Sequence, residues 1–245
     1  MLLSRPDIIK HLKKGTIVID PYVPSSLKTT SYDVRLGEYY WRQPTPTGGV
    51  WIHNLYDEES VRHVWTGPHK AERAADARKR LNLPEFVGID DNELVILLAP
   101  GETILGHTEE FIGGREICVA KMYGRSSTGR NFIEVCKDAG WGDVGYINRW
   151  TMEITNNSHS FTIPLVVGRR IAQMVFYEVS PLEVGADYAL EKGKYQLTDN
   201  LSKLKKTWTP QQLVPRMYLD PEALAVEERR KAKKGKASAK KTKKR

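Results

Sequence analysis

The chain is poor in cysteine and has no long apolar run. It holds two cysteines in 245 residues, so a disulfide framework like that of small secreted domains is excluded, and we expect a reducing, cytoplasmic setting. No segment approaches the roughly 18 to 20 apolar residues of a membrane-spanning helix, and the N-terminus lacks the apolar core of a signal peptide. These absences predict a protein without a membrane partner.

A zinc-ligand pattern is also missing. Cys118 and Cys136 are eighteen residues apart and have no clustered histidine, which is not the spacing of a zinc site. The His-x-Glu and Pro-Cys-x-x-Cys set of the zinc-dependent deaminases is absent as well. We therefore expect no zinc, and we expect Cys118 to be a core residue of its strand.

Positive charge is abundant but confined to one end. The net charge is +8, yet residues 227–245 hold eleven Lys and Arg against two Glu, a net of +9, which leaves the remainder at −1. This tail has no aromatic residue, and we expect disorder beyond about residue 226. Three roles stay open for it: weak nucleic-acid contact through phosphate neutralisation, a localisation signal, or a solubilising extension.

The body of the chain alternates short apolar segments with turns. This pattern predicts a mainly β fold, a sandwich or distorted barrel with a few short helices. The expected strands are Thr16 to Ile19, Tyr32 to Leu36, Leu94 to Leu98, Thr103 to His107, Ile117 to Met122, Trp150 to Thr155, Phe161 to Val166 and Ile171 to Tyr177.

Composition divides the chain into three parts. We predict a catalytic domain over residues 1–200, an irregular proline-containing arm over 201–226, and the basic tail over 227–245. Within the domain, residues of about 57–92 form an insertion, and Glu72 to Leu81 in it is expected to be a short charged helix.

The strongest local pattern is Gly124 to Arg130. Two arginines and two hydroxyls lie within seven residues bounded by glycines. Glycine lets backbone approach a ligand, and arginine binds anions by charge-assisted hydrogen bonds. The segment therefore suits a triphosphate, and the competing interpretation is a polar hairpin turn with solvated arginines.

A single carboxylate stands out in a later strand. Alternation places Trp150, Met152 and Ile154 on one face, and Glu153 on the other between Thr151 and Thr155. A partly buried carboxylate has a raised pKa, which suits it to carrying protons near neutral pH. The competing interpretation is the exposed face of an antiparallel sheet.

Several segments, in order, resemble the dCTP deaminase family of the dUTPase-like superfamily, including its bifunctional deaminase and dUTP diphosphatase members. The resemblance covers roughly residues 1–200. It rests on Leu3 to Ile9, Ser31 to Gly37, Gly124 to Arg130, Ala139 to Tyr146, Met152 to Ile154, Gly168 to Met174 and Lys194 to Gln196.

The resemblance implies dCTP deamination to dUTP and ammonia by homotrimers with sites at subunit interfaces. Glu153 would carry the proton, while Ser126 and a backbone carbonyl near Ala139 would hold the water, and Arg130 would fix the carboxylate. Mg²⁺ would arrive with the nucleotide, bound to phosphates and water. The nucleotide-binding residues implied are Arg125, Ser127, Trp141, Gln173, Lys194, Tyr195 and Gln196.

Some positions select among branches of the family. Trp141 resembles the bifunctional branch, in which Asp143 would orient a second water for hydrolysis of dUTP to dUMP and pyrophosphate. Cys136 and Asp138 stand where the family usually has histidine and threonine. This departure motivates one alternative, a dUTP diphosphatase without deaminase activity. Two more stay open: a modified cytosine nucleotide as substrate, and a non-catalytic nucleotide sensor or DNA-associated protein acting through the tail.

Overall fold

Strands dominate the computed structural model, which describes residues 1–44, 52–183, 186–188, 193–196 and 198–242. Each of the eight predicted strands is present, so the expected mainly β class is confirmed. The strands are β1 Ile17–Asp20, β2 Tyr32–Arg35, β3 Tyr39–Arg42, β4 Thr66–Lys70, β5 Glu72–Arg73, β6 Leu94–Leu98, β7 Thr103–Gly114, β8 Cys118–Gly124, β9 Ile133–Glu134, β10 Trp141–Gly142, β11 Ile147–Asn156, β12 Ile163–Val166 and β13 Arg170–Glu178. The helices are α1 Arg5–Lys14, α2 Glu58–Val64, α3 Ala74–Leu81, α4 Ser126–Arg130, α5 Leu201–Thr207 and α6 Pro221–Thr242.

Among the described residues the strands form three open sheets rather than a closed barrel. The largest has the order β4-β3-β7-β11-β9, with β1 also paired to β7; the second has the order β10-β8-β13-β2, and the third β12-β6-β5. The long antiparallel pair β7 and β11 sets Glu153 opposite Leu105. In the second sheet, β13 lies between β2 and β8.

The core follows the predicted alternation along β11. Trp150, Met152 and Ile154 are buried, as expected. A register shift between Arg149 and Thr151 marks a bulge, and there the backbone amide of Trp150 donates to the Thr108 hydroxyl at 2.8 Å. Extra residues at bulges re-aim side chains near functional sites.

The chain divides into two compact units. Unit 1 comprises Met1–Gln43 and Gly67–Leu213; unit 2 comprises Pro44–Thr66 and Val214–Arg245. The expected boundary at residue 200 therefore differs from the structure, because Leu204 and Leu213 are buried in unit 1. Within the expected insertion the charged helix is present as α3, and α2 precedes it.

Disorder beyond about residue 226 stays a prediction, and in this structure α6 runs over Pro221–Thr242. Alanine, glutamate, lysine and arginine have high helix propensity, which favours a helix in this segment. One turn apart, Glu227 and Lys231 form an ion pair at 2.7 Å. In the part of the chain that is described, no helix is both long and apolar enough to cross a bilayer.

Candidate active site

The segment Gly124 to Arg130 lines a pocket. After β8 the chain passes through Arg125, and the short helix α4 begins at Ser126. The pocket has a volume of about 570 Å³. Its lining includes five of the predicted residues, Arg125, Ser126, Ser127, Arg130 and Gln173, together with Lys28, Asp33 and Asn131.

The second sheet explains how these residues meet. On β13, Gln173 pairs with Asp33 of β2 on one side and with Tyr123 of β8 on the other. The chain leaves β8 at Gly124 and enters α4, so Gln173 and Asp33 lie next to the start of that helix. Three segments distant in sequence thus contribute polar side chains to one pocket.

Asp33 is the buried carboxylate of this pocket. It is 3% exposed, and its oxygens lie 3.6 Å from Arg125 Nε, 3.2 Å from Arg170 Nη1 and 3.9 Å from Lys28 Nζ. A buried carboxylate needs such partners, because an unpaired charge away from water is costly. Asp33 therefore keeps Arg125 and Arg170 beside the pocket.

Glu153 lies half-buried on β11, on the face opposite to Met152 and Ile154. Burial raises the pKa of its carboxyl; a hydrogen bond from its own backbone amide and the charge of Lys137 lower that pKa by smaller amounts. The raised pKa predicted from the alternation is confirmed in direction. This carboxyl can exchange protons closer to neutral pH than an exposed glutamate can.

A left-handed turn lies next to Glu153. Three consecutive residues without glycine have positive φ: Cys136 at 63°, Lys137 at 34° and Asp138 at 62°. Left-handed backbone costs of order 1 to 3 kcal/mol for such residues and clusters at functional sites. The Ala139 amide donates to the Cys136 carbonyl at 2.6 Å, closing the turn. Burial raises the pKa of the Cys136 thiol to about 11, and the charge of Glu153 adds to this rise.

Trp141 and Asp143 form a pair after this turn. The indole Nε1 of Trp141 donates to Asp143 Oδ1 at 2.8 Å, and both residues are exposed. The residue between them is Gly142. A side chain has no room there, because a Cβ would lie 2.3 Å from the Trp150 ring. The hydrogen bond fixes one oxygen of the carboxylate and leaves the other for a water or a ligand.

In the segment Lys194 to Gln196, the last side chain is buried and the first two are partly exposed. The Gln196 side chain is buried: its Oε1 accepts from the Ile147 amide at 2.7 Å, and its Nε2 donates to the Gly145 carbonyl at 2.6 Å. Its amide is therefore used inside the chain, and the predicted contact of Gln196 with phosphate would require these two bonds to break. Lys194 and Tyr195 are half-exposed, with the ammonium 5.9 Å from the ring centroid.

Within one chain, some of the predicted site residues line the pocket of Arg125 to Arg130 and the others do not. Glu153, Ala139, Trp141, Asp143, Lys194, Tyr195 and Gln196 are not among the residues that line the pocket of Arg125 to Arg130. The positive charge acting on Glu153 comes from Lys137 rather than from Arg130.

Sequence reasoning missed Lys28, Asn131 and the role of Asp33. A carboxylate between Tyr32 and Val34 in a buried strand was an available signal for Asp33. Lys28 and Asn131 lie outside any periodic pattern, so no signal marked them.

The donor set does not provide a protein cage for a metal. Among the described residues there is no group of three or more His, Cys, Asp or Glu side chains close enough to hold an ion. The pocket instead offers cationic side chains and hydroxyls around one paired carboxylate. Such a lining fits a Mg²⁺ ion coordinated by phosphate oxygens and water.

The sequence matches a family model and several named relatives. Residues 56–179, half of the chain, match the family model described as dCTP deaminase-like. A protein of Dictyoglomus thermophilum named "dCTP deaminase, dUMP-forming" is 30% identical over 84% of this chain and 98% of its own length. One of the same name from Methanosphaerula palustris is 29% identical over 80% of this chain and 90% of its own.

Solved structures give weaker likenesses. A 2'-deoxycytidine 5'-triphosphate deaminase from Agrobacterium tumefaciens aligns with 73% of this chain and 48% of its own, at 18% identity and a TM-score of 0.43. A dUTPase mutant from phage phi11 of S. aureus, whose title mentions a structural Mg(II) ion, covers 41% of this chain and 86% of its own, at 17% identity and a TM-score of 0.31. On the match to its family model and on its sequence relatives, the chain belongs to the dCTP deaminase-like family.

Proposed function

We propose that this protein is a dCTP deaminase that also hydrolyses the bond between the α- and β-phosphates, converting dCTP and two water molecules to dUMP, ammonia and pyrophosphate. The observation that carries the proposal is Glu153, a half-buried carboxyl whose pKa is raised by burial. Membership of the family and the names of the sequence relatives support the reaction class. The dUMP-forming version replaces dUTP as the expected final product, because those names specify it.

Glu153 is the proton carrier in this proposal. Ionised, it takes a proton from water as the oxygen attacks C4 of cytosine, and it then delivers that proton to N3. A second transfer from the attacking hydroxyl to the amino group lets ammonia leave and forms the uracil carbonyl. One carboxyl can serve both transfers when its pKa lies near the working pH.

The residues that hold the water and the phosphates are supplied by a second subunit. Ser126, Arg130, Arg125 and Ser127 line a pocket that does not include Glu153. We therefore place the site between protomers of a homotrimer, where the pocket of one chain faces Glu153 and the Ala139 carbonyl of another. In such an assembly Arg130 would fix the carboxyl and stabilise developing charge.

Asp143 carries the second step. The Trp141 indole holds one carboxylate oxygen, and the other orients a water for attack on the α-phosphorus of the uracil nucleotide, with pyrophosphate leaving. Bound Mg²⁺ supplies charge neutralisation on the phosphate chain. The triphosphate is bound in the pocket by Arg125, Ser127 and Gln173. Lys194 and Tyr195 cover the bound triphosphate.

Product analysis tests both steps. Purified protein is incubated with dCTP and Mg²⁺, and dUTP, dUMP and ammonia are quantified for the wild type, Glu153→Gln and Glu134→Gln. Glu134 is an exposed neighbour on β9, paired to β11, so Glu134→Gln is the matched control. We expect dUMP and ammonia in equal amounts, a loss of about 10² to 10⁴-fold in Glu153→Gln, and near wild-type rates in the control. Unchanged dCTP with wild-type protein refutes the deaminase.

A dUTP diphosphatase without deaminase activity is the second candidate. The changes at Cys136 and Asp138 motivate it, because the family resemblance gives the histidine usually found at the position of Cys136 a role in ordering the hydrogen bonds around the catalytic water. Cys136 stays a thiol at neutral pH, so it offers only a weak hydrogen bond there. Conversion of added dUTP to dUMP without ammonia release from dCTP would establish this candidate.

The basic tail supports a separate, auxiliary contact with nucleic acid. Residues 227–245 carry a net charge of +9, and binding through phosphates depends strongly on salt and little on sequence. Electrophoretic mobility of DNA of mixed sequence, with the full chain and a form ending at residue 226, tests it. Equal binding by both forms, or none at about 50 mM salt, refutes the contact.

A further inference from the structure

Lys28 lies at the pocket of Arg125 to Arg130 although it belongs to a different part of the chain. Its backbone is fixed: the Lys28 amide donates to the Ser31 carbonyl at 2.7 Å, and the flanking Leu27 and Tyr32 are buried and form a β-bridge. This tight hairpin leaves the Lys28 side chain among the residues that line the pocket.

The charges around the pocket do not cancel. Lys28, Arg125 and Arg130 line it, and Asp33 is the single carboxylate in that lining. Asp33 is shared among Lys28, Arg125 and Arg170, so one negative charge faces several positive ones. The pocket keeps an excess of positive charge that an anion with several charges can satisfy.

Among the three cations that pair with Asp33, Lys28 has the longest contact. Its Nζ lies 3.9 Å from Asp33 Oδ2, and its side chain is 41% exposed. The distance is long and the ammonium is partly exposed, so this contact contributes little. Arg125 and Arg170 still pair with the buried Asp33 carboxylate when Lys28 leaves it. The same ammonium donates to the Ser25 carbonyl at 2.7 Å, a neutral bond that water or a phosphate oxygen can replace.

We propose that Lys28 is a further phosphate ligand of this pocket and that Asp33 is its counter-ion when the pocket is empty. The assignment rests on the proposed function, since it adds a residue to the same nucleotide site. Bound polyphosphate draws the Lys28 ammonium away from Asp33 and Ser25, while Arg125 and Arg170 retain the Asp33 carboxylate. Lys28 thereby favours ligands with more phosphate groups.

Calorimetric binding of inorganic tripolyphosphate at fixed Mg²⁺ tests this without requiring catalysis. The variants are Lys28→Met, Lys28→Arg and Lys13→Met; Lys13 is an exposed lysine of α1 outside the pocket lining. We expect about three- to tenfold weaker binding in Lys28→Met at low salt, from loss of one charge-assisted contact, and near wild-type binding in the other two. Screening should shrink the difference as salt is raised.

A purely structural role for Lys28, as a clamp on the Ser25 carbonyl, predicts another result. Lys28→Met would then lower the melting temperature and leave the salt dependence of tripolyphosphate binding unchanged, which overturns the proposal. Wild-type protein that binds no tripolyphosphate overturns it as well. Lys28-dependent binding in a protein that releases no ammonia from dCTP supports Lys28 as a phosphate ligand and refutes the deaminase.

Discussion

Stability should fall between pH 7 and pH 5 because of His107. This residue is 1% exposed on β7. Its Nδ1 donates to the Thr108 carbonyl at 2.8 Å, and its Nε2 accepts from the Tyr39 amide at 3.2 Å. A proton added to Nε2 would therefore point at the Tyr39 N–H, which is itself a donor, and would break that hydrogen bond. Burial lowers the pKa of His107 from 6.5 to about 4, and the charge of Arg149 lowers it further.

The magnitude follows from linkage. The unfolded chain takes up its proton near pH 6.5 while the folded chain resists until about pH 4, so the stabilising contribution is present above pH 6.5 and is lost as the pH falls. A difference of roughly 2.5 pKa units corresponds to about 3.4 kcal/mol at complete protonation, of which roughly 2 kcal/mol is lost between pH 7 and pH 5.

Urea denaturation at several pH values, at one protein concentration, measures this loss. His107→Gln should be less stable at pH 7 but should lose about 2 kcal/mol less than the wild type on going to pH 5. His159→Gln, at an exposed position, is the matched control and should follow the wild type. If His107→Gln and the wild type fall by equal amounts, the imidazole is not the group that titrates.

Further predictions concern the site. Lys137→Met removes a charge that lowers the pKa of Glu153, so the acidic limb of the kcat/KM profile should move to higher pH, whereas Lys137→Arg should restore it; an unmoved limb refutes the coupling. Gln196→Ala leaves two buried backbone groups unpaired and should destabilise the chain by roughly 2 to 4 kcal/mol, measured by urea denaturation, whereas a loss below about 0.5 kcal/mol contradicts the anchoring role. Trp141→Phe releases Asp143 and should slow dUMP formation by about tenfold, or ~1.4 kcal/mol, with ammonia release unchanged; equal slowing of both products argues against separate steps.

Most of the fold was predictable because its strands obey simple periodicity. Alternation along β11 placed Met152 and Ile154 inside and Glu153 on the other face, which the structure confirms. Strands β3, β4, β5, β9 and β10 were not predicted, because they are short and their pairing depends on strands elsewhere in the chain. The left-handed turn at Cys136 was also beyond prediction, since cysteine carries no local preference for positive φ.

The site was predictable where chemistry clusters in sequence. Ser126, Ser127 and Arg130 lie on α4, directly after Arg125, and these four residues line one pocket. Gln173 lines it too, and only the family resemblance had implied that residue. Gln196 was assigned to phosphate, yet its amide is consumed by Gly145 and Ile147, because a flexible polar side chain binds whichever backbone groups folding brings near it. The separation of Glu153 from the pocket is a tertiary property that spacing along the chain does not encode.

Gly37 is a case in which a motif residue has a steric cause. A Cβ at Gly37 would lie 1.9 Å from the His107 ring, so substitution by alanine would force that imidazole out of its place between Tyr39 and Trp208. The glycine in the segment Ser31 to Gly37 is thus explained by the packing of a histidine seventy residues later in the chain.

The burial of the first half of the C-terminal arm sets a limit on how far the protein can be shortened. Leu204 packs with Phe111 and Ile147, the Trp208 ring lies 4.7 Å from the Arg149 guanidinium, and the Pro210 carbonyl accepts from the Trp41 indole at 2.8 Å. Removing everything after residue 200 would uncover this apolar surface and promote aggregation. A truncated enzyme for crystallisation should therefore end after Leu213.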